Sequence, residues 1–154
     1  MPDKKTLERA EEDKKEGKSP STQAGEFVRE EMDHIREGKH GARSTKQAIA
    51  IGLSKARRAG VALKPPSTGG AKTRRKAAQD TARGRSGRSR PTSAKRSRAT
   101  SGALRREGRA AASKTALARQ AKSSARRRSS SSRSASARKA ARTRAGERNR
   151  RGRG

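Results

Sequence analysis

The chain has 154 residues, with 44 Lys or Arg against 14 Asp or Glu and a net charge of +30. One Phe, no Trp, no Tyr, no Cys and a hydrophobic share of 26%, much of it alanine, exclude a disulfide framework, a thiolate metal centre and a large core. Low hydrophobicity at this charge is the composition of a chain disordered over much of its length.

No apolar run approaches the roughly 20 residues that span a bilayer, and the opening "MPDKKTLERAEEDKKEGK" lacks the apolar core of a secretory signal. A cytoplasmic protein is expected. A pI near 12 points to a polyanionic partner. A membrane surface is disfavoured, because the basic region has no bulky apolar anchor.

Charge is distributed unevenly. Residues 1–37 hold 11 acids and 8 bases, residues 38–64 hold 7 bases and no acid, and residues 65–154 hold 29 bases and 3 acids. Pro65-Pro66 and the following "STGG" mark the boundary between a small helical module, 1–64, and a tail, 65–154.

The first helical segment, about 3–16, is strongly charged and has one large apolar residue, Leu7. The second, about 20–37, starts with Ser19 as N-cap and Pro20 at the first position, and Gly38 stops it. Ala24, Phe27, Val28, Met32 and Ile35 fall on one stripe, with Glu26, Glu30, Asp33 and Glu37 opposite as an exposed acidic face.

The third segment, about 45–59, opens with Ser44 and Gln47 as a capping box and closes with Gly60 and an apolar contact from Val61. Ala48, Gly52 and Ala56 leave a shallow groove that predicts close approach by the Phe27/Met32/Ile35 stripe in an antiparallel hairpin. About ten large apolar side chains in residues 1–64 predict a marginal module, completed by dimerisation or a partner. The fold class expected is thus an all-α helical hairpin of two to three helices followed by a long, intrinsically disordered, basic tail.

The tail carries 23 Arg and 6 Lys. Arginine grips phosphate with two parallel hydrogen bonds, so the expected nucleic-acid contacts are Arg83, Arg85, Arg88 and Arg90, then Arg105, Arg106, Arg126, Arg127 and Arg128. Further along they are Arg138, Lys139, Arg142, Arg144, Arg150 and Arg151. "ALRREGRAAASKTALARQAKSSARRR" is rich in helix formers and is expected to fold on a polyanion. "RGRSGRSRP" (83–91) resembles a split AT-hook, and the terminal "RRGRG" resembles an arginine–glycine RNA-binding box. No aromatic residue interrupts the basic region, which argues for backbone binding rather than base stacking.

On the third segment, Gln47, Ile51, Ser54 and Arg58 share the face opposite the groove, flanked by Lys46, Lys55 and Arg57. Gln47, Lys55, Arg57 and Arg58 are therefore candidate helix contacts to bases or phosphates. The exposed carboxylates do not make a catalytic set, and His34 and His40 have no cysteine beside them. No enzyme activity, cofactor or metal is expected.

The segment "SPSTQAGEFVREEMDHIREGKHGARSTKQAIAIGLSKARRAG" resembles a family of small basic bacterial proteins built on an uncharacterised domain, often followed by a basic tail. The resemblance implies a bacterial, cytoplasmic protein. The tail is similar in composition to linker histones and bacterial histone-like proteins, although it favours Arg over Lys. The function expected is sequence-independent DNA binding by a nucleoid-associated protein. RNA or ribosome association is the alternative, as is a protein-interaction module, with homodimerisation through the helices as a further expectation.

Overall fold

A computed structural model describes residues 1–67, 69–87 and 93–151, except the side chains of Glu147, Arg150 and Arg151. Among the described residues there are seven α-helices and no strand. They are α1 (Lys4–Lys15), α2 (Pro20–Arg36), α3 (Thr45–Arg58), α4 (Ala71–Ser86), α5 (Ala94–Arg105), α6 (Lys114–Arg126) and α7 (Ser130–Arg151), with a 3-10 turn at Ala110–Ala112. The chain divides into two compact units, Met1–Leu117 and Ala118–Gly154.

Local chemistry sets the limits of α3. Ser44 Oγ accepts from Gln47 N at 3.2 Å, and Gln47 Oε1 accepts from Arg43 N at 2.9 Å. At the other end Gly60 adopts φ +93°, which only glycine takes without strain, and Val61 N turns back to Ala56 O at 3.1 Å.

The core of the first unit has two clusters. Phe27, fully buried, packs with Ala10, Ala24, Ala56 and Val61, so one aromatic ring joins α1, α2, α3 and the segment after α3. Met32 and Ile35 pack with Ala42 and Ala48, and α2 and α3 therefore run antiparallel, Phe27 lying by Ala56 and Ile35 by Ala48. The contact is close because Gly52 has no side chain: a Cβ there would lie 2.7 Å from Val28 Cα and 3.0 Å from Phe27 O.

The expectation of a hairpin followed by a long disordered tail is overturned. Residues 71–86, 94–105, 114–126 and 130–151 are helical, and the first unit extends to Leu117. Ala111, Ala112 and Leu117 complete the Met32/Ile35 cluster. Thr45 Oγ1 donates to Ala111 O at 2.7 Å, Arg36 Nε to Ala112 O at 3.1 Å, and Gly41 N to Leu104 O at 2.9 Å. α4 lies on α3 through buried Ala77 and Asp80, with Gly84 against the Arg57 carbonyl.

Composition misled because it counts bulky apolar groups. Here the packing is carried by alanine, which loses no rotamer freedom, and by glycines that let backbones touch. Segments beyond residue 64 pack on the module from within the same chain.

The acidic stripe of α2 is not an open face either. α1 covers it with buried Thr6 and Ala10, Arg9 Nε lies 2.6 Å from Glu26 Oε2, and Asp3 N donates to Glu30 Oε2 at 3.1 Å. Arg9 of α1 thereby neutralises Glu26, easing the repulsion among carboxylates along α2.

Gly52→Ala is expected to cost about 1–3 kcal/mol, since backbone atoms must move to admit a methyl group. Gly25→Ala, in the same hairpin where a Cβ meets nothing within 4 Å, is expected to stabilise by about 0.5–1 kcal/mol through helix propensity. Urea unfolding of both variants checks the contrast.

Candidate nucleic-acid interface

The polar groups of α3 are largely engaged within the chain. Lys55, only 17% exposed, places Nζ 3.2 Å from Glu30 Oε1 and 2.8 Å from Glu31 Oε2, and both carboxylates are buried. Burial by itself lowers the Lys55 pKa, but hydrogen bonds and charge from Glu31 and then Glu30 outweigh it, and the ammonium ends above its ordinary value.

Arg57 is buried, donates through Nη2 to Lys64 O at 3.2 Å, and leaves Nε without an acceptor. Ser54 Oγ donates to Asp80 Oδ2 at 2.6 Å, and Arg58 Nε lies 4.0 Å from Asp80 Oδ1. Gln47 spends its carbonyl oxygen on the cap. Of the residues on or beside this face, Lys46 and Arg58 are exposed. The face that a base-reading helix would present is occupied by α4, which sequence inspection did not place there. Asp80 was the available signal: one of only three acids in a 90-residue segment with 29 bases.

The bases further along differ. Arg83 and Arg85 are exposed in the last turn of α4, and Arg105 and Arg106 are exposed at the end of α5. In the second unit Arg126, Arg127, Arg128, Arg138, Lys139, Arg142 and Arg144 are all exposed. Arg150 and Arg151 continue the backbone of α7. Arg88 and Arg90, with the proline-bearing half of the AT-hook resemblance, lie outside the described residues, as does the end of the arginine–glycine box.

Ion pairing gives the sharpest division. Among the described residues every carboxylate–base pair lies at or before Asp80. Beyond it the exposed bases have no carboxylate partner among those residues.

α7 itself is held by local hydrogen bonds. Ser129 Oγ accepts from Ser132 N at 3.2 Å, Arg128 Nη2 donates forward to Ser132 O at 3.0 Å, and Arg133 Nη1 donates back to Arg128 O at 3.3 Å. Arg138 and Arg142, and Arg144 and Arg148, stand four residues apart on it, and like charges at that spacing repel.

Lys55→Met is expected to destabilise the chain by about 3–5 kcal/mol, because it leaves two buried carboxylates facing each other. With a raised folded-state pKa, the stabilisation from Lys55 is fully present below its unfolded value of 10.5 and is lost as pH rises through the higher folded value. The gap between wild type and Lys55→Met in urea unfolding should therefore narrow above that pH.

Comparison with protein-family models, with curated proteins and with solved structures finds no match.

Proposed function

We propose that the chain is a sequence-independent nucleic-acid-binding protein whose cationic helices grip the phosphate backbone, with duplex DNA as the partner and the bacterial nucleoid as its place of action. The observation that carries this reading is the uncompensated charge after Asp80. α7 alone, 22 residues and about 33 Å long, presents eight bases and one acid in its sequence and buries none of its described side chains. An element with no apolar face and repelling charges gains from a polyanion that neutralises them.

The choice of DNA backbone over bases follows from what these helices lack. The only Phe, Tyr or Trp of the chain is Phe27, which is fully buried and cannot stack on splayed bases. The polar side chains of α3 that would read base edges are engaged with Asp80, Glu30 and Glu31.

Binding of the full chain to two unrelated 25-base-pair duplexes, measured across a salt series, tests the reading. The log–log slope is expected to fall by about 2–3 when Arg138, Arg142 and Arg144 are replaced by Gln, since each phosphate contact contributes about 0.9. The loss should be equal for both sequences. An unchanged slope, or a marked preference for one duplex, sinks the proposal; tighter binding to duplex RNA exchanges the nucleic acid.

A further inference from the structure

We propose that Glu31, His34 and His40 form a binding site for a divalent metal ion of the zinc type, a property separate from nucleic-acid binding. One ligand atom from each of the three lies within 4.8 Å of the others. Glu31 and His34 stand three residues apart on α2 and share one face, a spacing that holds metals in helical bundles. His40 comes from the loop that follows.

Three observations point to a cation here. Glu31 is fully buried, and its Oε1 makes no hydrogen bond. Lys55 Nζ lies beside Oε2 at 2.8 Å, which leaves Oε1 turned to His40 Nε2 at 3.4 Å. His40 Nδ1 lies 3.1 Å from Gly41 O, and a neutral ring that donates there carries its lone pair on Nε2, against the carboxylate. Two lone-pair atoms held face to face in a buried place repel, and a cation between them, a proton or a metal ion, removes that repulsion.

His34 has the matching arrangement. Its Nε2 lies 3.2 Å from Asp3 Oδ2, so a proton on Nε2 leaves Nδ1 as the ligand atom. A carboxylate or carbonyl behind each imidazole is how metal-binding histidines are oriented. The buried charges agree: Glu30 and Glu31 face the single ammonium of Lys55, leaving an excess of one negative charge.

Two imidazoles and a carboxylate suit zinc, which binds them at about 2.0–2.2 Å in a tetrahedron with room for a fourth ligand. The ligands must draw together from their present spacing, by side-chain rotation. A depression of about 440 Å³ lined by Asp3, Glu30 and His34 reaches the site on its His34 side. Bound there, the metal ties α2 to the loop whose Gly41 and Ala42 hold Leu104 and Gly108.

The test uses the untagged, metal-free full chain, titrated with Zn²⁺ alone by calorimetry and with Co²⁺ by visible absorption. One equivalent of Zn²⁺, a tetrahedral Co²⁺ spectrum and no competition from Mg²⁺ are expected. His34→Ala and His40→Ala should each weaken Zn²⁺ binding more than 100-fold, beyond the roughly 10–100-fold expected for the supporting change Asp3→Asn. Far-UV circular dichroism of the metal-free variants confirms that they remain folded. Absence of a saturable one-to-one isotherm overturns the proposal, as does undiminished binding by a folded His34→Ala/His40→Ala double variant.

Discussion

The first unit depends on the contact of two backbones at Gly52. With one aromatic ring and few branched aliphatic side chains, this chain cannot hold helices together through bulky interdigitating groups. It brings the helices closer instead, so that Val28 and the carbonyl of Phe27 lie where a side chain of α3 would stand. Close approach raises the dispersion gained per atom, which offsets part of the missing apolar area. The same device recurs at Gly41, against the Glu107 and Gly108 carbonyls, and at Gly84, against the Arg57 carbonyl. Sites where any Cβ would clash fix which segments can dock.

Buried polar groups supply the discrimination that small residues cannot. Alanine faces are interchangeable, but Asp80 finds the Ser54 hydroxyl at 2.6 Å, and Thr45 finds the Ala111 carbonyl at 2.7 Å. Misplacing either segment would leave a buried polar atom unpaired, at a cost of about 1–3 kcal/mol. Lys55 plays this part between α2 and α3, where it meets both buried glutamates of α2, Glu30 and Glu31. Such pairs add little net stability over apolar packing, yet penalise alternatives strongly.

Charge is thereby sorted along the chain. Acids are spent on internal pairing up to Asp80, and the bases beyond it remain in solvent. A folded first unit and an uncompensated cationic surface thus arise from one sequence through the placement of only 14 carboxylates. Helical order in the cationic segments spaces guanidinium groups at fixed intervals, which a fluctuating tail would not do.

Much of the N-terminal architecture was legible in the sequence. Ser44 and Gln47 announce the start of α3, Gly60 and Val61 its end, and Ala48, Gly52 and Ala56 the groove that receives Phe27 and Ile35, because caps and helical periodicity are local properties. Exposure of the bases in α7 followed equally from charge alone. What lay beyond residue 64 was not legible, since docking through Ala77, Asp80, Gly84 and Ala111 depends on shape and on single polar contacts between residues 26 and 66 positions apart. The same holds for Lys55 and Glu30, which read as surface charges on a helical wheel until α1 and α3 close over α2. Sequence determined the first three helices and the sign of the surface; only the tertiary structure decided which charges are buried, because burial is set by what a distant segment covers.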